Sequence, residues 1–273
     1  MTGEPDPAYV LARRVLLDAL KALEPQLGSV ILVGAQAVYL HASETGIAVA
    51  PYTTDADLAL DVDLLTEDPR LEDAMNTAGF APGDQPGAWI GEADVNIDLM
   101  VAAAQGGAGS RGARIPPHDK RAARTARGLE GALIDRDRRT IRALDASDPR
   151  SFEILVAGPA ALLIAKTIKI DDRRGDTRRE SDKDALDMLR LLRAIEAGEI
   201  AERMVRIGAD NRAEPVAMQA MELLAELFGA PDGLGCSMAV RATERLEDPE
   251  EIAASCTALA GDVLDAWKRL SRS

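Results

Sequence analysis

Two aspartates, Asp55 and Asp57, stand two positions apart in the stretch TTDADLALDVD, residues 53–63. Side chains of a β-strand alternate between its two faces, so both carboxylates point one way while Leu58 and Leu60 point the other. Like charges on one face repel each other unless water or a cation lies beside them. Carboxylate oxygens are hard ligands that suit Mg²⁺ or Mn²⁺. The spacing therefore predicts either a solvated strand edge or a site for a divalent metal.

A third acid, Asp98, lies in ADVNIDLMVA, residues 93–102, where apolar and polar side chains alternate. This alternation predicts a strand with Asp98 on its polar face. Upstream, the apolar run VILV ends at Gly34, and a helical segment follows from Ala35. The first turn of a helix presents unpaired backbone N–H groups to phosphate oxygens. If the two strands are neighbours, the three aspartates converge at one end of a sheet.

The order of predicted elements indicates an α/β (α+β) fold with a mixed sheet. Apolar residues at helical spacing predict helices over 8–24 and 67–78, and strands alternate with these helices along the chain. Downstream, the periodicity is mainly helical. We therefore expect an α/β domain over residues 1–150 and a mainly helical domain over residues 151–273.

Lys166 interrupts an almost wholly apolar helical segment, residues 160–170. Such a lysine either extends its ammonium group to solvent or reaches an anion such as a phosphate. Lys169 and Arg173 follow three and seven positions later on the same side of the helix, and can extend the positive surface or be ordinary exposed charges.

The segment SDKDALDMLRLLRA, residues 181–194, predicts an amphipathic helix with Ser181 as its N-cap. Asp184 would then be the third helical residue, where an acid stabilises the helix N-terminus. Asp187 lies one turn further, so this explanation does not apply to it. Both acids are candidates for a site near Lys166.

The composition is that of a globular protein with an apolar core, because 47% of the 273 residues are hydrophobic and 29% are charged. The sequence shows no apolar run long enough to span a membrane and no signal segment at its start. Cys236 and Cys256 are its only cysteines. We therefore expect a reduced, cytoplasmic protein without structural zinc or membrane contact.

The net charge of −14 is unevenly distributed. Residues 1–110 hold 4 basic and 17 acidic side chains, whereas residues 111–150, the basic band, hold 11 basic and 6 acidic ones. The spacing of Arg121, Arg124 and Arg127 predicts one helical face. The band suits the phosphates of RNA or a salt-bridged surface, and it has no aromatic residue that could stack on bases.

The glycine that opens a helix, the Asp55-x-Asp57 pair and the later Asp98 resemble the DNA polymerase β-like nucleotidyltransferase superfamily. The resemblance is to its AbiEii/type IV toxin branch, which includes mycobacterial nucleotidyltransferase toxins. That branch adds a lysine-bearing helix, matched by Lys166, and a Lys/Arg-Asp-x-x-Asp helix, matched by KDALD at residues 183–187. The resemblance covers roughly residues 28–195.

This resemblance implies Mg²⁺- or Mn²⁺-dependent transfer of a nucleoside monophosphate from a nucleoside triphosphate to an acceptor hydroxyl, with the tRNA 3′ end as the leading acceptor. It also implies RNA binding through the basic band and a cognate antitoxin protein as a partner. The implied metal ligands are Asp55, Asp57 and Asp98. The implied catalytic residues are these three with Lys166 and Asp187, and the implied nucleotide-binding residues are Gly34, Ala35, Lys166, Asp184, Lys169 and Arg173.

Two alternatives stay open at this point. The same chemistry serves enzymes that modify a small-molecule acceptor such as an antibiotic, for which an acidic cleft is better suited than a basic track. The other alternative is a nucleotide-binding or interaction module without catalysis. Ala35 favours this second alternative, because the superfamily has Gly-Gly or Gly-Ser at this turn and alanine offers no hydroxyl.

Overall fold

The computed structural model describes residues 6–42, 47, 52–107, 111–175, 182–243 and 246–272. These residues form two compact units. The first contains the described parts of 1–37, 51–126 and 136–157, and the second those of 38–50, 127–135 and 158–273.

The first unit is built on one mixed sheet. Its strands are β1 (Val30–Val33), β2 (Asp55–Leu60), β3 (Ala81–Pro82), β4 (Ala88–Ile90), β5 (Asn96–Ala102), β6 (Arg124–Ala126), β7 (Arg136–Arg142) and β8 (Ser151–Ala157). Their order is β3-β4-β5-β2-β1-β8-β7, with β6 beside β5. The pairs β2–β5, β1–β8 and β5–β6 are parallel, and the remaining pairs are antiparallel. The predicted α/β fold with a mixed sheet is confirmed.

The buried positions follow the sequence pattern of each strand. All four residues of the central strand β1 are buried, as expected for an apolar run with neighbours on both sides. In β2, Ala56, Leu58 and Leu60 are buried, whereas the alternate Asp55 is exposed and Asp57 is half-buried. The prediction that acidic and apolar side chains of this strand face opposite ways is confirmed.

Helices complete the first unit. Helix α1 (Pro7–Ala22) begins at Asp6, whose side chain accepts a hydrogen bond from the Ala8 N–H at 2.8 Å. Its apolar stripe contacts β2, β5 and β8. The short helix α3 (Leu71–Thr77) lies within the predicted segment 67–78. Three short 3₁₀ helices also belong to this unit, at Glu24–Gln26, Val62–Leu64 and Glu92–Asp94.

The prediction that Arg121, Arg124 and Arg127 share a helical face is wrong. Arg124 opens strand β6, which pairs in parallel with β5, and Arg121 precedes it in a turn. Strand β7 was also not predicted, because it lies at the sheet edge and exposes charged residues. Edge strands with charged side chains lack the apolar alternation from which strands are predicted.

The second unit is helical, which confirms the predicted helical C-terminal part. Its helices are α4 (Pro159–Asp172), α5 (Asp182–Ala194), α6 (Ala197–Gly208), α7 (Glu214–Phe228), α8 (Leu234–Ala242) and α9 (Pro249–Leu270), with a 3₁₀ helix at Glu130–Leu133. Ser181, the predicted N-cap of α5, lies outside the described residues. Strand β8 follows the predicted domain boundary at residue 150. It belongs to the sheet of the first unit because it pairs with β1 and β7.

Helix α4 begins at a buried cap. The Asp135 carboxylate accepts a hydrogen bond from the Ala161 N–H at 3.0 Å and is ion-paired with Arg203 at 2.8 Å. A β-carbon at Gly158 would lie 2.2 Å from this carboxylate, so the residue before α4 must be glycine for the cap to form. No helix in the described part of the chain is long and apolar enough to cross a membrane.

Candidate active site

The turn between β1 and helix α2 (Gly34–His41) is the first part of the candidate site. Gly34 has a φ of +68°, a left-handed conformation that L side chains rarely adopt. A β-carbon there would lie 2.1 Å from Oδ2 of Asp57. Glycine is therefore required at this position by its backbone angle and by the carboxylate of Asp57, which packs directly against the start of α2.

The register between β2 and β5 brings the acids of the two strands together. Asp57 pairs with Asp98 and Asp55 with Asn96 across this parallel pair. Paired residues of neighbouring strands point to the same face of a sheet. Asp57 and Asp98 therefore lie side by side, as the sequence predicted for neighbouring strands.

Each oxygen of the Asp98 carboxylate has a hydrogen-bond donor. Oδ1 accepts from the Asn96 amide at 2.9 Å, and Oδ2 accepts from the Arg124 guanidinium at 2.8 Å. Arg124 comes from β6, where it is paired with Met100 of β5. The sequence pattern predicts Arg124 on a helical face, so it does not reveal this contact. The contact depends on the parallel pairing of β6 with β5, and only the folded chain shows this pairing.

The predicted three-carboxylate metal site is not formed in this arrangement. Among the residues that the structure describes, no group of three or more His, Cys, Asp or Glu is placed to hold a metal ion. The donor chemistry of Asp55, Asp57 and Asp98 suits a hard cation. Arg124 already supplies a positive charge to Asp98. The three aspartates therefore do not fit the predicted metal site in this arrangement.

The start of β2 is held by polar contacts that the sequence did not reveal. Asp55 Oδ1 accepts a hydrogen bond from the Thr53 hydroxyl at 2.6 Å, and its carbonyl oxygen accepts one from the Gln36 amide at 3.0 Å. The Gln36 side-chain oxygen in turn accepts from Arg13 at 2.7 Å. Gln36 is the third residue of α2, so this chain of contacts fixes the strand against the helix that begins at Gly34.

Arg13 is a buried arginine whose partners in the described part of the chain are all neutral. Besides Gln36, it donates to the Tyr9 hydroxyl and to the Arg142 carbonyl, both at 3.0 Å. Only 3% of Arg13 is exposed. Burial lowers the pKa of the guanidinium, and the neighbouring Tyr9 opposes that shift. An arginine buried in this way orders the residues around it, because each of its donors requires an acceptor.

A second group of predicted site residues lies in the second unit and forms a buried ionic network. The Lys166 ammonium donates to Asp184 at 2.7 Å and to Asp187 at 2.8 Å. Asp184 also contacts Lys169 at 3.1 Å and Arg173 at 3.5 Å. Asp187 is fully buried and is ion-paired with Arg190 at 2.9 Å.

The charges in this network stabilise one another. Burial by itself lowers the pKa of Lys166, but the attraction of Asp184 and Asp187 outweighs it, so the pKa is raised. Burial likewise opposes ionisation of Asp184, but Lys166 and Lys169 hold the pKa of this carboxyl well below its ordinary value. Lys166 and Asp184 are therefore both charged at neutral pH.

Three of the predicted site residues are buried in this network. Lys166, Asp184 and Asp187 are 5% exposed or less. Their polar groups bind one another, and their predicted roles in nucleotide binding and catalysis stay predictions. Lys169 and Arg173 are partly exposed, with side-chain exposures of 39% and 30%. Their predicted contact with a nucleotide stays a prediction.

Several arginines of the basic band are ion-paired with acids. In the first unit, Arg136 pairs with Asp61 and Arg150 with Asp18 and Asp148. In the second unit, Arg127 pairs with Asp172 at 2.8 Å. This pattern favours the salt-bridged surface over the RNA track.

Two arginines of the band bind neutral groups instead. Arg111 donates to the side chain of Gln85, and Arg121 donates to the carbonyl groups of Gly83 and Asp84. Both are exposed. Their positive charge is therefore available on the surface of the first unit.

Comparison with known proteins does not identify a family for this chain. No family model matches the chain, and no curated protein matches it. Among solved structures, an antigenic nucleotidyltransferase-like protein from Paracoccidioides brasiliensis is similar at a TM-score of 0.39 and 14% identity, over 77% of this chain and 93% of that chain. A likeness this weak identifies neither a family nor an activity.

Proposed function

We propose that this protein is a nucleotidyltransferase, which transfers a nucleoside monophosphate from a nucleoside triphosphate to an acceptor hydroxyl and releases pyrophosphate. The observation that carries the proposal is the register of β2 and β5, which sets Asp57 beside Asp98 next to the turn at Gly34. Carboxylates beside a helix N-terminus combine negative charge with backbone N–H groups that attract phosphate oxygens.

In this proposal the first turn of α2 binds the triphosphate through backbone N–H groups, since Ala35 has no side-chain donor. Asp57 and Asp98 orient the acceptor hydroxyl, and one of the two carboxylates accepts its proton as the oxygen attacks the α-phosphorus. A new P–O bond forms while the bond to the pyrophosphate leaving group breaks. The contact of Gln36 with the Asp55 carbonyl oxygen keeps the strand aligned with the helix.

Mg²⁺ or Mn²⁺ is part of the proposal as the cation that Asp55 and Asp57 would attract. A metal held there would neutralise charge on the leaving pyrophosphate. The pairing of Asp98 with Arg124 leaves the three-carboxylate site unformed, so no step above depends on a metal at Asp98.

The proposed acceptor is an RNA 3′ end, and tRNA is the first RNA to test. A role as a toxin that modifies this RNA is part of the same proposal. Both rest on the sequence resemblance. A small-molecule acceptor is the second candidate, and one observation favours it: Arg124, Arg136 and Arg150 of the basic band are paired with acids. The arginines that bind neutral groups, Arg111 and Arg121, are those expected to contact RNA phosphates.

The test is transfer of an α-labelled nucleoside monophosphate. Purified protein is incubated with each labelled nucleoside triphosphate, Mg²⁺ or Mn²⁺, and total RNA, purified tRNA or a panel of small-molecule acceptors. We expect covalent labelling of one acceptor class and its loss in Asp57→Asn, which keeps the size of the side chain and removes its charge. Folding of Asp57→Asn is checked by thermal unfolding.

The outcomes separate the candidates. Labelled RNA with loss of labelling in Arg121→Gln supports an RNA acceptor, and labelling of a small molecule alone supports the second candidate. Triphosphate binding without labelling of any acceptor would indicate a nucleotide-binding module. Labelling that persists in Asp57→Asn would overturn the proposed site.

A further inference from the structure

The two cysteines of the chain meet inside the second unit. Cys236 is the third residue of α8 and Cys256 the eighth of α9, and these two helices pack against each other. The two thiols are hydrogen-bonded to each other, and the Cys236 sulfur also lies 3.5 Å from the hydroxyl of Thr257, the residue after Cys256. Both cysteines are fully buried, and neither forms a disulfide. The fold therefore holds two free thiols in contact.

The position of Cys236 is also fixed from the side of α7. A β-carbon at Gly235 would lie 2.4 Å from the ring of Phe228, so this glycine lets α8 approach the end of α7 closely. The Cys236 sulfur lies 3.9 Å from the carbonyl oxygen of Phe228. Its thiol is therefore held between α7 and α9, on the side from which Cys256 reaches it.

We propose that Cys236 and Cys256 form a redox-active dithiol site, which a hydroperoxide such as hydrogen peroxide converts to a disulfide between α8 and α9. A disulfide bond is about 2 Å long, so only cysteines whose side chains already meet can be joined without a large movement of the backbone. The contact between the two thiols provides this arrangement. The inference is independent of the proposed function, because it concerns neither Asp57 nor Asp98.

The reaction has two steps. The Cys236 sulfur, as the thiolate, attacks one peroxide oxygen and breaks the O–O bond; the leaving hydroxide takes the proton lost by this thiol, and a sulfenic acid and water are formed. The Cys256 sulfur then attacks the sulfenic sulfur, and the S–S bond forms as the S–O bond breaks. The second hydroxide leaves as water with the Cys256 proton. The two thiols lose two electrons, which reduce one peroxide to two waters.

The contact between the thiols also sets the order in which they react. Hydrogen bonding from the Cys256 thiol lowers the pKa of Cys236 to about 7, whereas the same contact and burial raise the pKa of Cys256. The thiolate is the nucleophilic form of cysteine, so Cys236 is oxidised first. Cys256 is the resolving thiol, and its contact with Cys236 favours the disulfide over further oxidation of the sulfenic acid.

The disulfide would stabilise the second unit. It closes the loop between residues 236 and 256, which restricts the unfolded chain more than the folded one. Helix α8 also packs against α5, and α9 packs against α5, α6 and α7. A bond between α8 and α9 therefore joins two helices that the rest of the unit already holds in place. Oxidation converts the protein to a more stable form, and a reducing thiol reverses it.

The experiment treats the reduced full-length protein with hydrogen peroxide, at a concentration that oxidises a free cysteine peptide in the same time. Remaining thiols are then alkylated in urea, and peptides are mapped by mass spectrometry without reducing agent. We expect one intramolecular disulfide that joins the peptides of Cys236 and Cys256 and is reversed by dithiothreitol. The oxidised protein should unfold at a Tm roughly 5 °C higher than the reduced protein.

Two serine variants test the order of reaction, and serine keeps a hydroxyl donor at each position. With peroxide and dimedone, which traps sulfenic acids, Cys256→Ser should give an adduct on Cys236. Cys236→Ser should give at least about tenfold less adduct on Cys256, because that thiol is not activated. Thermal unfolding checks that both variants are folded, and the disulfide mapping on wild type needs neither of them.

Several outcomes overturn the inference. These are both thiols remaining free after peroxide, sulfinic acid on Cys236 without a disulfide, disulfides only between two molecules, and a disulfide that forms only in urea. An oxidised protein that unfolds at or below the Tm of the reduced one overturns the stabilising bond. Equal dimedone labelling of the two serine variants overturns the assignment of Cys236 as the reacting thiol.

Discussion

The carboxylate of Asp57 lies where a side chain at Gly34 would begin: an added β-carbon would come within 2.1 Å of Oδ2 and 2.8 Å of the Asp57 β-carbon. The turn that opens α2 and the second acid of β2 are therefore fitted to each other. The shape of the proposed phosphate-binding turn therefore depends on Asp57, the residue that the proposal places beside the reacting groups.

Gly34→Ala should lower stability for two reasons. The left-handed backbone costs about 1–2 kcal/mol for a non-glycine residue, and the clash with Asp57 adds on the order of 2 kcal/mol. Gly79→Ala is the control, because Gly79 also has a positive φ of 88° but nothing within 4 Å of an added β-carbon. Urea unfolding should show the larger loss for Gly34→Ala, and adding Asp57→Ala should recover part of the difference. Equal losses in the two alanine variants would contradict the contact.

Arg13→Met should destabilise the first unit by on the order of 3 kcal/mol, because it leaves the buried Gln36 and Tyr9 oxygens without their donor. The same change at Arg14 is the control, since its ion pair with Glu92 is exposed and should contribute less than about 1 kcal/mol. Hydrogen exchange should also become faster at the start of β2, where Gln36 holds the Asp55 carbonyl oxygen. Similar losses of stability in both variants would rule out the ordering role of Arg13.

Lys166→Met should destabilise the second unit by about 3–5 kcal/mol, because it leaves Asp184 and Asp187 buried with less compensating charge. Lys169→Met should have a much smaller effect, since Lys169 is partly exposed. Combining Lys166→Met with Asp184→Asn should recover part of the loss, because Asp187 keeps its ion pair with Arg190. Denaturant unfolding at pH 7 measures all three, and a Lys166→Met variant as stable as wild type would contradict the buried network.

The same network predicts how stability changes with pH. The folded-state pKa of Asp184 is lowered, so the unfolded chain takes up a proton at this residue before the folded chain does as the pH falls. Its contribution is fully present well above the unfolded pKa of about 3.9, and it is lost progressively as the pH falls from about 5 towards the lower folded-state pKa. Asp184→Asn should show a shallower decline than wild type between about pH 5 and 3. An unchanged slope would mean that other carboxylates dominate acid unfolding.

We expect the two cysteines of the second unit to react slowly with alkylating reagents. Hydrogen bonding from the Cys256 thiol stabilises the Cys236 thiolate and lowers the pKa of Cys236 to about 7, which favours reaction. Both residues are nevertheless fully buried and free of disulfides. Iodoacetamide at pH 8 should therefore modify Cys236 only as fast as the unit opens locally, and rapidly in urea. Mass spectrometry follows the reaction, and fast modification of the native protein would show that the sulfur is accessible.

The alternation of side chains in the strands follows from the amino-acid sequence alone. Asp55 and Asp57 had to face away from Leu58 and Leu60, because the side-chain period of a strand is two and only one face was apolar. The same local reasoning predicted the strand of Asp98, the glycine turn and the helical second part. Each of these features depends on residues within a few positions of one another.

The partner of each charged side chain, in contrast, depends on how the strands and helices pack together. Arg124 reaches Asp98 because β6 pairs with β5, and Lys166 reaches Asp184 and Asp187 because α4 packs against α5. Nothing near Arg124 or Lys166 in the chain specifies these contacts. The charge of a lysine or arginine is local, but its partner is set by which elements pack together, and this packing is determined by burial of apolar residues elsewhere in the fold.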